Sequence, residues 1–143
     1  MLSVNSYTPE YVEACRARIA EQLAAFRAVA TEAPDGSPLG RALGSLEAAL
    51  FANMVLALDG MFCHRSRTME GKDGNPLNEV RILGTSLTEH AGVFTPGKTL
   101  KLGPQTSVLG YAPGDPISLS ADDFERLAAA FLAAIARTYP PRA

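Results

Sequence analysis

The sequence predicts a mainly α-helical protein, a four-helix bundle-like domain with a small β-hairpin or arm inserted before the last helix. Apolar residues recur every three or four positions in four separate segments, which is the period of an amphipathic helix. Capping residues precede three of these segments, and between residues 93 and 118 the pattern changes to short apolar runs separated by Pro-Gly turns. A length of 143 residues and a hydrophobic fraction of 47% suffice for a single domain, 1–143, with its own core.

The first helix begins at Pro9, because Thr8 is a good capping residue and proline suits the first helical position. Residues 1–7 before it are expected to form a flexible N-terminus. The helix buries one apolar stripe and breaks at the turn-rich segment 33–38. The stripe consists of Val12, Cys15, Ile19, Leu23, Phe26 and Ala30.

The second helix is expected to run from about Pro38 to about Thr68. Its apolar residues form two neighbouring stripes, which together are wider than the usual apolar face of an amphipathic helix. We therefore expect this helix to lie at the centre of the bundle. Glycines at 71 and 74 end it in a tight polar loop.

The third helix begins at Pro76, capped by Asn75, and ends just before Gly92. Residues 93–118 are expected to form the β-like arm. The last helix is capped by Ser120 and Asp123 in a variant of the capping box, and it ends at the prolines 140–141.

The overall charge and the N-terminal sequence limit the function classes. The formal net charge is −2, from 13 basic and 15 acidic residues, which disfavours nucleic acid as a partner. The N-terminus lacks the basic start and apolar stretch of a secretion signal, so we expect a cytoplasmic protein. The most apolar stretch, 46–63, is interrupted by Glu47, Asn53 and Asp59, which disfavours a membrane span.

The apolar content and the cysteines bear on assembly. The mean hydropathy is slightly positive, which is high for so small a chain. We therefore expect some apolar surface to be buried between subunits, in a homo-oligomer that is most simply a dimer. Cys15 and Cys63 lack the spacing of a disulfide framework or metal site and are expected to be small buried side chains.

The first candidate site is a face of the second helix. Its members are separated by four, three, four and three residues, which places them on one side of a helix: Asn53, Ala57, Gly60, His64 and Arg67. Glycine in a helix interior costs about 1 kcal/mol relative to alanine, so Gly60 would be explained by a close backbone or a small ligand beside His64. The alternative is an ordinary solvated helix face.

The second candidate site is the polar run 64–81, rich in charges of both signs. The cations Arg65, Arg67, Lys72 and Arg81 could surround an anion, with the free N–H groups at the start of the Pro76 helix as further donors. The alternative is a structural hinge held by salt bridges. The remaining candidate ligand-binding residues in this run are Glu70, Asp73, Asn75 and Asn78.

Two functions follow from these sites. The first is a self-associating binding module for a partner or a small anionic ligand. The alternative is a small enzyme in which His64 works with Glu70 or Asp73 in acid–base chemistry on an anionic substrate. The sequence carries no recognisable set of catalytic residues, no cofactor motif and no metal-ligand spacing around His64 or His90.

Several short stretches resemble a family of uncharacterised small bacterial proteins. They are EGKDGNPLNEVR at residues 70–81, LGP at 102–104, SVLGY at 107–111 and GD at 114–115. The resemblance covers residues 45–135 and implies a bacterial, cytosolic origin. It implies no activity, cofactor or catalytic residue.

Overall fold

A computed structural model describes residues 2–142 of the chain, and it is mainly helical. Four long helices and one short helix follow one another along the chain. They are α1 (Pro9–Thr31), α2 (Pro38–Met61), α3 (Arg67–Glu70), α4 (Pro76–Glu89) and α5 (Ala121–Thr138).

The capping residues read from the sequence begin these helices as predicted. The Thr8 hydroxyl accepts a hydrogen bond from the Tyr11 N–H at 3.2 Å, and α1 starts at the next residue. The Asn75 side chain caps α4, and Ser120 with Asp123 forms the capping box of α5. These caps satisfy N–H groups that the helix itself leaves without an acceptor.

The second helix ends at Met61, seven residues earlier than predicted. The chain turns there because the Arg65 N–H bonds to the Phe62 carbonyl, which directs the Arg65 side chain into the protein interior. A short parallel bridge holds the turn: the Val4 N–H donates to the His64 carbonyl, and the Ser66 N–H donates to the Val4 carbonyl, each at 2.8 Å. The segment 1–7 was expected to be flexible, but this part of it is anchored.

The predicted β-hairpin at residues 93–118 is wrong. No strand forms among residues 2–142, and Val93 and Pro116 make only an isolated antiparallel bridge. The segment is a series of turns whose apolar side chains pack against the helices. The short apolar runs of this segment thus reflect contacts with the core, made by Leu100, Leu102, Val108, Leu109, Tyr111 and Ile117.

The centre of the fold is α5, whereas the sequence predicted α2. Helix α5 packs against α1, α2 and α4, and Phe124, Leu127 and Phe131 on it are fully buried. Helix α2 buries one side but leaves Leu39 and Leu46 about half exposed, at 49% and 51%. By length and composition alone α2 is apolar enough to cross a membrane, and 28% of its most apolar window is buried in the fold.

Candidate functional site

A buried carboxylate, that of Glu70, lies at the centre of the polar run. Glu70 is the last residue of α3 and is 4% exposed. Its Oε1 accepts from Arg65 Nε at 2.9 Å and from Arg81 Nη2 at 2.7 Å. Its Oε2 accepts from Asn78 Nδ2 at 3.0 Å and from Arg81 Nε at 3.1 Å. One carboxylate therefore joins α3 to α4 and to the turn that follows α2.

Arg65 is fully buried and compensated on several sides. Besides Glu70, its Nη1 lies 2.9 Å from Asp59 Oδ1 and donates to the Phe62 carbonyl at 3.1 Å. The Asp59 contact is an ion pair without the alignment of a hydrogen bond. The guanidinium also lies over the Phe131 ring, 5.4 Å from its centroid. Arg65 is thus part of the structural core.

The network holds Glu70 in its charged form. Burial raises the pKa of the Glu70 carboxyl, but hydrogen bonds and positive charge from Arg81 and Arg65 outweigh that effect, so its pKa lies below the ordinary value. The same pairing raises the pKa of Arg81. Glu70 is therefore a fixed negative charge at neutral pH and an unsuitable proton carrier.

The loop between α3 and α4 is held by its asparagines and by one glycine. Asn75 Nδ2 donates to the Glu70 carbonyl at 2.8 Å, and Asn78 Oδ1 accepts from the Gly74 N–H at 3.0 Å. Gly74 has φ +86°, and a Cβ there would overlap the Lys101 carbonyl oxygen. The loop is consequently pressed against the arm, and no larger residue fits at this position.

Beside this network lies an open cleft of about 310 Å³ between α3, α4 and the arm. Arg81 forms part of its wall, with Nε and Nη2 bonded to Glu70 and its side chain 20% exposed. The rest of the lining combines cations, hydroxyls and apolar groups: Arg67, Lys72, Thr85, Thr95, Thr99, Ile82 and Leu100, with Gly71 and Gly97.

The charge of this cleft is positive. Arg67 and Lys72 are both exposed, and neither makes an ion pair within the part of the chain that the structure describes. Glu70 is the only acidic residue in the lining, and it is shared between Arg65 and Arg81. Arg65 and Arg81 are balanced by Glu70 and Asp59, so the uncompensated positive charge of the cleft is that of Arg67 and Lys72.

A second buried carboxylate fixes the arm. Glu79, 1% exposed on α4, accepts from the Ser107 hydroxyl at 2.8 Å and from the N–H groups of Val108 and Leu109 at 2.7 and 3.0 Å. These bonds replace the ladder that a hairpin would have provided. Glu79 therefore anchors residues 107–109 of the arm, whereas the cleft is lined by the earlier stretch 95–100.

Larger hollows elsewhere are less suited to a charged ligand. One of about 480 Å³ lies between the α1–α2 connection and the start of α5. Its cations are already engaged: Arg27 pairs with Asp122 and Glu125, and Arg41 donates to the Gly36 carbonyl. Size alone therefore does not identify the site.

The structure separates the residues of the predicted helix face. Asn53 and Gly60 are exposed on α2, and a Cβ at Gly60 would meet nothing within 4 Å, so no close backbone explains that glycine. Since α2 ends at Met61, His64 and Arg67 do not continue its face. His64 instead borders a separate depression of about 240 Å³, which shares Arg67 and Arg81 with the cleft.

The other candidates divide into structural and cleft residues. Arg65, Asn75 and Asn78 are structural, and Asp73 is exposed and accepts from Asn75 Nδ2 at 2.7 Å. Arg67, Glu70, Lys72 and Arg81 line the cleft. Cys15 is buried as predicted, whereas Cys63 is exposed beside His64.

Sequence reasoning missed more than half of the residues that line the cleft. Thr85 was detectable, because it follows Arg81 by four positions and so shares its face of the helix, whereas Ile82, one position after Arg81, had no such signal. Thr95, Thr99 and Leu100 had no local signal, since only the folding of the arm onto α4 brings them there. Asp59 was recognised as a polar interruption of α2 but not as the partner of Arg65.

No protein-family model, curated protein or solved structure matches the chain. The resemblance of 70–81 to a bacterial family therefore stays a prediction, and the chemistry of the cleft must guide any functional assignment.

Proposed function

We propose that the protein is a binding module that takes a small anionic ligand into the cleft between α3, α4 and the arm. The observation that carries the proposal is the imbalance of charge. Arg67 and Lys72 carry positive charge that no carboxylate of the lining balances, because its single carboxylate, Glu70, is already paired with Arg81 and Arg65. In a chain of net charge −2, such a cluster is a local exception and would attract a counter-ion.

Arg81 is the anchor of this site. Its two bonds to Glu70 fix the plane of the guanidinium, so little side-chain entropy remains to be lost when an anion binds. Arg67 and Lys72 project from exposed positions and supply charge with more freedom. A rigid arginine flanked by two mobile cations suits the oxygen atoms of a carboxylate or phosphoryl group.

The other lining residues define the body of the ligand. The hydroxyls of Thr85 and Thr99 provide polar contacts, whereas Ile82 and Leu100 provide apolar surface. A volume near 310 Å³ is at the lower end of small-molecule sites. The ligand is accordingly a small molecule with one anionic group and a short apolar portion.

No observation favours the enzyme alternative over binding. Glu70 is held as a charged acceptor by four hydrogen bonds, and His64 donates to no carboxylate among residues 2–142. A general acid–base pair needs hydrogen-bond contact and a pKa near the working pH.

The remaining sequence predictions belong to the same proposal. A cytoplasmic location, a bacterial origin, a bundle-like arrangement of the long helices and self-association stay predictions. The apolar outer surface of α2, with Leu39 and Leu46 half exposed, supports self-association.

The proposal is tested with 3-methylbutanoate, a carboxylate with a short branched tail, in saturation-transfer NMR at constant ionic strength. We expect saturable binding with a dissociation constant on the order of 1 mM, or about −4 kcal/mol. Arg67→Gln should weaken it about fivefold, roughly 1 kcal/mol, because an exposed cation contributes modestly.

The matched control is Arg137→Gln, another exposed arginine, located near the end of α5 and outside the cleft lining. It should bind as the wild type does. Equal weakening by both variants, or no saturable transfer up to about 20 mM, about twentyfold above the expected constant, would refute the proposed site.

A further inference from the structure

The outer side of α2 is an apolar surface without charge. Leu46 is 51% exposed, and across a groove of about 350 Å³ Val29 of α1 is exposed to the same extent. Between Arg41 and Asp59 the only charged residue is Glu47, whose carboxylate accepts from the Ala121 N–H at the start of α5. The outward positions between them are small or apolar except for Ser45 and Asn53.

The outward residues of α2 are also symmetric about residue 51. At 100° per residue these outward residues form one stripe along the helix. They fall into pairs, in which one residue lies as many positions before residue 51 as the other lies after it. Small residues mirror small residues and a leucine mirrors a leucine. The pairs are Ala42 with Gly60, Ser45 with Ala57, Leu46 with Leu56, and Ala49 with Asn53. All of these residues are exposed except Leu56, which is half-buried beside Gly84 of α4.

We infer that this surface packs against a second copy of the chain, with the two α2 helices antiparallel about a two-fold axis near residue 51. A two-fold axis makes an interface self-complementary, which is what the symmetric stripe provides. The axis places Leu46 of one copy over the small Ala57 of the other. On the opposite flank it places Leu56 over Ser45, so large side chains meet small ones throughout.

Charge at the two ends agrees with the antiparallel direction. Arg41 and Asp59 lie at the same angle around α2, ten residues before and eight after the axis. The arrangement therefore brings Arg41 of one copy to the Asp59 end of the other. Such a rim pair contributes little affinity, because within each copy Asp59 also lies against Arg65 and Arg41 donates to the Gly36 carbonyl.

The available area is sufficient for a dimer. Twenty-four residues of α2 span about 36 Å. With the adjoining flank of α1 the surface is roughly 20 Å wide, or about 700 Å² per copy, close to the ~800 Å² per partner of a standard interface. The alanines allow the helices to approach near the lower limit of about 8 Å.

A lipid surface fits the same region less well. The chain has no tryptophan, and the α1–α2 connection at one end of the stripe carries the exposed Glu32 and Asp35. Helices that lie on membranes instead border their apolar face with lysine, arginine and aromatic residues. The charges therefore favour a protein partner.

The inference is tested by sedimentation equilibrium of the full chain. We expect a mass twice the 15.1 kDa of one chain at micromolar concentration. Ala49→Arg, at the middle of the stripe, should raise the dimer dissociation constant at least 100-fold, while circular dichroism confirms an intact fold. The control Ala133→Arg places the same charge on the exposed side of α5 and should leave the dimer unchanged.

Direction is tested by cysteine cross-linking in a Cys63→Ser background. An equimolar mixture of the single variants Ala42→Cys and Gly60→Cys should form a covalent dimer under mild oxidation, because the axis places position 42 of one copy beside position 60 of the other. Neither variant alone should cross-link, since two copies of the same position lie about 27 Å apart. A 15.1 kDa monomer at 100 µM or above, a dimer that persists in Ala49→Arg, or absence of the cross-link would overturn the inference. The inference would also be overturned if the wild type floated with phosphatidylcholine vesicles and Ala49→Arg abolished this flotation. The cleft is not involved, so loss of ligand binding would leave this test unaffected.

Discussion

Replacing Glu70 with glutamine removes the negative charge at the centre of the buried network while keeping the size of the side chain. The carboxylate lies 2.7 Å from Arg81 Nη2 and 2.9 Å from Arg65 Nε, and it accepts four hydrogen bonds in all. In either orientation of the glutamine amide, its NH₂ group would face N–H donors of the surrounding side chains and could accept no hydrogen bond from them. Arg65 would retain only Asp59 as a charged partner.

The expected cost follows from burial. Breaking a buried pair by removing one partner costs about 3–5 kcal/mol. Arg81 is 20% exposed and can regain water, so we expect the lower end, about 3 kcal/mol. For a chain of this length each kcal/mol moves Tm by roughly 3 °C, which gives a decrease of about 9 °C.

Urea unfolding followed by far-UV circular dichroism measures this change. The control is Asp73→Asn, which removes the same charge three residues away at an exposed position and should stay within about 0.5 kcal/mol of the wild type. The m-value should be unchanged in both variants, since the surface exposed on unfolding is the same. A Glu70→Gln variant within about 1 kcal/mol of the wild type would refute the reasoning that the network is a buried structural centre.

Two further predictions concern the second carboxylate and pH. Glu79→Gln removes the charged acceptor for Ser107 and for two backbone N–H groups, so the arm should loosen. Hydrogen exchange at the amides of Val108 and Leu109 should accelerate at least tenfold, while the amides of the α5 core stay protected. Unchanged exchange at these two amides would contradict the role of Glu79. The folded pKa of Glu70 lies below its ordinary value of 4.5, so its contribution to stability is complete above that pH and is lost as the pH falls below it through the folded pKa. Urea midpoints measured between pH 7 and pH 3 should therefore decline more steeply for the wild type than for Glu70→Gln, and parallel curves would contradict the assignment.

The sequence predicted what is decided locally. Thr8, Asn75 and Ser120 cap helices through their own side chains, so their positions were readable without any tertiary information. The dense charges at 64–81 correctly marked an unusual region. The interpretation as a structural hinge fits Arg65, Glu70 and Asn78, which form the buried network, while the ligand site stays a proposal that rests on the exposed Arg67 and Lys72.

Long-range contacts decided the rest. Helix α2 ends early because Arg65 turns inward to meet Glu70 and Asp59, an arrangement that no periodicity in α2 reveals. The arm forms no hairpin because Glu79, distant in sequence, satisfies the N–H groups that a ladder would have paired. The apolar content of α2 predicted that it would be the central helix. In the structure α5 occupies the centre, so α2 is covered on one side and its outer side stays exposed.

The central claim is that the cleft between α3, α4 and the arm binds small anions. It is tested most directly by titrating the ¹⁵N-labelled protein with inorganic phosphate, with sodium chloride adjusted to hold the ionic strength constant. Saturable shifts should appear at the amides of Gly71, Lys72, Thr85 and Thr95 and stay absent around Gly36 in the larger hollow. Shifts centred on Gly36, or small unsaturable shifts spread over all exposed cations, would contradict the account.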